Sequence, residues 1–407
     1  MKSNLIFFKR LTTFIIFTGI VLYIYGCQSE PTSSLYKGNQ QYLPAPVVDS
    51  ISPSGSALAG IDTVIIYGKN FSSLPDANHE TVFFNGTSVP IIGGTPTTIR
   101  IIAPAIQGTI TVQVSVTGAL PYSTVVYKLI AAISAFGNLD TTYAVYALGS
   151  ASDSSLYAAM TEKNIDRGVL KVTSDGISSY ASATSVVMTG IKFGLGGYLY
   201  AVRGNRVVYR YAPGGGSSQN WAVTPSGSFF DLDFDPSGNL WVGGSGTKTG
   251  SDTTNIIRVK QDATTKAFHF TGTINSVRYY DGYLYFVSKT GPTPSKVYRA
   301  PIINDTLGTP EVYFDISSDP ADGSNIYAIT FSSDGNMYAG VDSSYLMIVH
   351  PGGFIEKPYS LFIVSGVLNS PCRSFAWIGD DLYASTASGK LLKIVVRKPG
   401  APYYGLQ

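Results

Sequence analysis

Charge is scarce in this chain of 407 residues: 13% are Asp, Glu, Lys or Arg, and the formal net charge is +2. A balance so near neutrality provides no basic surplus for nucleic acid. Glutamate is confined to Glu30, Glu80, Glu162, Glu311 and Glu356, and histidine to His79, His269 and His350. General acid–base chemistry needs groups converging within hydrogen-bond reach, and hard cations need several oxygens together. This scattered set assembles neither, so no catalytic residue, cofactor or metal site is assigned. Cysteine is reduced to Cys27 and Cys372, and no histidine lies within twenty residues of Cys372. Packing is therefore the expected role of that thiol. Long helical runs of Ala, Glu, Lys and Leu are also missing, which argues against a helical fold.

What is present points to β-structure. Hydrophobic residues make up 44% of the chain, with 43 Gly and 28 Tyr. Short Val/Ile/Tyr/Phe runs are punctuated by Gly, Pro, Ser and Asp, the signature of strands and tight turns. The most acidic stretch, FDLDFDPSGNLWVGG from Phe230 to Gly244, crowds Asp231, Asp233 and Asp235 together. A calcium loop would require glycine at its sixth position and glutamate at its twelfth. Pro236 and Val242 stand there instead. Leu232 and Phe234 alternate with the acids at strand periodicity. The stretch reads as a strand followed by an Asp-Pro-Ser-Gly-Asn turn.

That unit recurs. Leu156-Tyr157, Leu199-Tyr200, Leu240-Trp241, Leu284-Tyr285, Met337-Tyr338 and Leu382-Tyr383 each follow a turn, at spacings of 43, 41, 44, 53 and 45 residues. A preceding strand carries bulky residues two apart, as in Ile191-Lys-Phe193, Leu232-Asp-Phe234, Val277-Arg-Tyr279, Ile329-Thr-Phe331 and Phe375-Ala-Trp377. Six strand-rich copies at this period predict a six-bladed β-propeller over residues 132–398, with a tail over 399–407.

The N-terminus reads as a targeting segment. Lys2, Lys9 and Arg10 precede an apolar run, Leu11 to Tyr25, shorter than the ~20 residues a spanning helix needs. The run ends in Ile24-Tyr-Gly-Cys27, which resembles a bacterial lipoprotein cleavage site. The resemblance implies a signal peptide over 1–26, acylation of Cys27, and a tether over 27–44. Ser29 and Glu30 faintly resemble the export signals of Bacteroidota surface lipoproteins. The implied localisation is the outer membrane, at the cell surface or facing the periplasm, with the membrane as partner through the lipid.

Residues 45–130 carry Ile51-Ser-Pro-Ser-Gly55, Ile66-Tyr-Gly-Lys-Asn-Phe71, Val82-Phe-Phe-Asn-Gly86 and Ala103-Pro104 in order. They resemble the immunoglobulin-like TIG (IPT) family, which implies a β-sandwich spacer or interaction module without catalytic residues. The repeats that follow are similar to NHL-type propellers. Gluconolactonase-like hydrolases and streptogramin lyases share such repeats, so a propeller enzyme is the alternative reading. The expectation favoured here is an all-β, non-catalytic binding protein, taking a glycan or a surface protein. The face formed by the loops into each blade's first strand and between its second and third strands is the expected site. Arg203, Asp231, Asn275, Tyr327, Asp342, Tyr345 and Arg373 are its candidate residues, since polar groups beside aromatic rings suit sugars.

Overall fold

The computed structural model describes residues 42–73, 79–120, 124–246 and 254–406. Cys27, the signal segment and most of the tether lie outside them, as do residues 247–253 of the third blade's loop. Two β-units follow one another. In the first, Val47–Ser52, Thr63–Lys69, Thr98–Ile102 and Ile91–Thr95 form one sheet. Ser56–Ala59, Thr124–Ala131, Gly108–Val116, Glu80–Phe84 and Thr87–Val89 form the other. Alternation decides which side chains meet between the sheets. Val64 and Ile66, beside Ile101 and Ile99 in their own sheet, share one buried core with Val82, Phe84, Ile110, Val112 and Val114 of the other.

The second unit is a ring of six blades. In blades one to five the strands run in sequence from the axis outward, while blade six has three sequential strands. The innermost strands are Tyr143–Ser150, Gly190–Phe193, Ser228–Phe234, Thr273–Tyr280, Ile326–Phe331 and Cys372–Ile378. In blade four the outer edge is split between Thr306–Leu307 and Glu311–Asp315, both paired with Lys296–Ile303. The ring closes in blade six. Ile133–Ala135, from the start of the unit, pairs with Leu391–Val395 from its end.

Two positions of the inner strands explain how the blades hold together. Leu148, Ile191, Leu232, Val277, Ile329 and Phe375 are all buried, filling the space between neighbouring blades. The residue just before each is small or polar, and three of these act as struts. Asp231 accepts from the Val277 N–H at 3.0 Å, Ser276 from the Ile329 N–H at 3.3 Å, and Ser374 from the Leu148 N–H at 3.0 Å. In each case a side chain of one blade satisfies a backbone donor on the next blade's axial edge, a group that the ladder leaves unpaired.

The C-terminal tail crosses the axis at the ends of the inner strands. Pro399 accepts from Ser333 N–H at 2.9 Å and Ala401 N–H donates to Phe331 at 2.9 Å. The Tyr403 hydroxyl donates to the Phe193 carbonyl, and Tyr404 meets Tyr279 edge-on with ring centres 5.2 Å apart. The channel is thereby closed at that end. At the other junction, Leu58 and Ile61 of the sandwich pack with Phe362, Ile363 and Val367 of the propeller, and Arg397 pairs with Asp62 at 2.7 Å. Gly60 permits this contact: its φ is +74° and a Cβ would lie 3.3 Å from the Phe362 ring.

Candidate ligand-binding site at the channel mouth

Five of the six inner strands carry a β-bulge, at matching places near their start. The irregularities fall between Val145 and Ala147, Phe229 and Asp231, Ile274 and Ser276, Ile326 and Ala328, and Cys372 and Ser374. A bulge leaves one residue without a cross-strand partner and redirects its side chain. Those residues are Tyr146, Phe230, Asn275, Tyr327 and Arg373. Tyr146 and Arg373 are exposed and the other three half-exposed, although the residues just before all five are buried. Each stands two positions before its blade's buried bulky residue. In blade two that position is Thr189, just ahead of a short strand with no bulge. Because every inner strand starts on the same face, the five side chains gather around one mouth, opposite the end closed by the tail.

Blades four to six make the best-organised part of this mouth. Asp342 accepts from the Ser324 and Asn325 N–H groups at 2.9 and 3.0 Å, from Asn325 Nδ2 at 3.0 Å and from the Tyr327 hydroxyl at 2.8 Å. Burial acts to raise its pKa, but these donors outweigh it and hold the carboxyl below its ordinary range. Burial and the same hydrogen bond raise the Tyr327 phenol. Lys289 donates to Asn325 Oδ1, and the Arg373 guanidinium stands 5.5 Å from the centre of the Tyr327 ring. Lys289, Asn325, Asp342, Tyr327 and Arg373 thus form one connected set.

The remaining candidate residues stand apart from it. Arg203 lies over the Tyr209 ring, donates to its hydroxyl at 2.9 Å and reaches the Thr184 carbonyl. Tyr345, at φ +60°, packs against the cluster containing Tyr359, Phe362 and Leu368, and its carbonyl accepts from Cys372 N–H at 3.0 Å. Asp231 is committed to blade four, taking Arg278 Nη1 at 2.7 Å and Ser276 Oγ at 2.9 Å besides the Val277 amide. The three clustered aspartates face different donors. Asp233 accepts from Tyr279 N–H at 2.9 Å, and Asp235 from Asn239 N–H at 2.9 Å and Trp241 Nε1 at 2.8 Å. Deeper in the channel, burial and the Arg278 charge depress the Lys192 ammonium to about 8. Burial also raises the Asp233 carboxyl.

Tyr146 and Phe230 were not singled out from sequence. The signal was present as the position two residues before each Leu/Ile/Val/Phe of the repeat, but a strict period of two assigns Asp231 to the mouth in place of Phe230. His350 pairs with Glu356 at 2.9 Å near the outer edge of blade five, and His269 ends the outermost strand of blade three. Glu311 pairs with Arg299 at 2.6 Å, again at an outer edge.

The IPT/TIG domain family model matches residues 46–128. Among curated proteins none matches the chain. A solved protein from Bacteroides thetaiotaomicron carrying a provisional phosphatase name is similar over 86% of this chain and 97% of its own, at 12% identity and a TM-score of 0.52. A gluconolactonase from Xanthomonas campestris aligns over 66% of this chain and 89% of its own, at 12% identity and a TM-score of 0.50. An auxiliary nutrient binding protein from Bacteroides thetaiotaomicron aligns over 86% and 97%, at 11% identity and a TM-score of 0.47. At these identities the likeness concerns the fold. The chain is an all-β protein in which an IPT/TIG domain precedes a β-propeller.

Proposed function

We propose that this is a lipid-anchored outer-membrane protein, held through Cys27, whose propeller binds a glycan at the channel mouth without transforming it. The observation that carries the reading is the set of bulges: five strands each open one side chain to the same mouth. Two phenols, a phenyl ring, an amide and a guanidinium offer stacking faces and hydrogen bonds, the combination that sugars use. The tail closes the far end, so the mouth is a blind funnel rather than a pore. Propeller hydrolases or lyases remain the alternative by fold. Among the described residues the mouth set contains no histidine or glutamate, and Asp342 beside Tyr327 is occupied by four protein donors.

The test is a glycan array with the full chain in detergent, repeated with Tyr327→Ala, Tyr146→Ala and Asp334→Ala. Asp334 sits in a turn at the opposite end, paired with Lys398. The reading requires that signals fall in both tyrosine variants and persist in the Asp334 variant. Loss in the Asp334 variant alone would place the ligand on the other face, and turnover of a bound sugar would favour the enzyme.

A further inference from the structure

The charges around the mouth are unevenly partnered. Many of the propeller's cations meet carboxylates: Arg299 with Glu311, Lys393 with Asp381, and, around the loops that enter blade five, Lys296 with Asp315 and Lys357 with Asp319 and Asp322. Arg373, Lys289 and Arg203 do not. Among the described residues Arg373 has no ion pair or hydrogen bond, only the Tyr327 ring beneath it. Lys289 donates to an amide oxygen, and Arg203 to a phenol and a carbonyl. Asp342, the carboxylate of the connected set, has its oxygens taken up by Ser324, Asn325 and Tyr327. Two cations, Lys289 and Arg373, thus flank one carboxylate that is already satisfied, leaving the connected set with a net charge of +1. Arg203 adds a further positive charge on blade two.

Resting on the proposed glycan-binding role, we infer that the ligand is acidic: a sugar bearing a carboxylate, gripped by Arg373. A planar guanidinium presents two parallel N–H groups to a carboxylate, and an aromatic ring beneath it fixes the plane. Arg373 has that ring in Tyr327, and around the mouth Tyr146 of blade one is its neighbour on the other side. The rings would carry the apolar faces of the sugar, while Arg373 and Lys289 meet its charge. An acidic peptide would satisfy the cations equally well. It makes less use of the flat aromatic surfaces spread around the whole mouth, so a uronate sugar is the better fit.

The experiment is calorimetry on the full chain in detergent with three probes: an oligogalacturonate, the same oligosaccharide with its carboxyl groups reduced, and a glutamate-rich peptide of equal charge. The oligogalacturonate should bind at least about tenfold more tightly than the reduced form, since hydrogen bonds to charged groups are worth this much. Its affinity should fall as salt is raised. Arg373→Gln should erase the difference between the two sugars, and Lys289→Gln should reduce it. Because Arg373 is exposed, its substitution leaves the core intact. Equal binding of the two sugars would overturn the acidic-ligand inference while keeping a glycan site. Binding of the peptide alone would overturn the inference and the glycan reading together. No binding of the oligogalacturonate, or binding untouched by Arg373→Gln, would overturn the inference and leave the array to judge the role itself.

Discussion

Replacing Asp231 by alanine separates a structural role from a ligand-binding one. The carboxylate holds Arg278 at 2.7 Å, and the two side chains retain only 13% and 7% of their exposure. Without it, a guanidinium is left in the channel wall with no carboxylate on that side, and the Val277 amide and Ser276 hydroxyl lose an acceptor. Removing one partner of a buried pair costs about 3–5 kcal/mol. For a unit of this size that corresponds to a fall in Tm of roughly 6–15 °C. Differential scanning calorimetry on the full chain reads this directly, with the sandwich as an internal reference. Arg278→Met combined with Asp231→Ala should recover much of the loss, because the stranded charge disappears. If Asp231→Ala melts like the parent, the strut argument is wrong and Asp231 is available to a ligand.

Lys192 offers a pH test. Its folded pKa of about 8 lies below the ordinary lysine value, so between roughly pH 8 and 10 the unfolded chain holds a proton that the folded chain has released. Stability contributed by this group therefore rises across that window, and urea midpoints of the parent and Lys192→Met should converge as pH increases from 8 toward 9.5. Parallel curves would remove Lys192 from the account. Deleting residues 399–407 should lower the propeller's Tm by several degrees, since Ala401, Tyr403 and Tyr404 meet three inner strands; an unchanged melt would make the tail an ornament of the fold. Cys27→Ala should abolish labelling by a fatty-acid probe and release the chain from the membrane fraction, and persistent labelling would refute the anchor.

Much of the fold was legible because burial imposes periodicity. Leu-Tyr pairs every forty to fifty residues and bulky residues two apart mark strands that must pack on both faces, and five of the six buried anchors of the inner strands follow that rule; in blade one Leu148 is followed two positions on by Ser150. The mouth was less legible. Asn275, Tyr327 and Arg373 are bulge residues, but Tyr146 and Phe230 are not distinguishable by alternation, since a bulge breaks the period that the eye follows. The strut role of Asp231 depends on Val277 and Arg278, 46 and 47 residues away, which no local pattern reveals. Tyr345 reads as a loop aromatic in sequence, yet its ring belongs to the apolar packing beneath blade six. The tail carries two adjacent tyrosines and little else, so nothing in its composition announces that it crosses the axis.

The strand Ile133–Ala135 gives the protein a particular timetable. It leaves the ribosome first among the propeller's strands and finds its partner, Leu391–Val395, last. At ordinary elongation rates of about 5–20 residues per second the interval is on the order of tens of seconds. The sandwich can complete its core during that wait, but Leu58 and Ile61 have no Phe362 to meet until blade five is made. The nascent chain therefore carries a finished domain with an uncovered apolar edge, followed by a lengthening row of blades whose first edge stays open. Any factor that escorts the nascent chain would have those two edges to protect, and its work ends when the final thirty or so residues arrive.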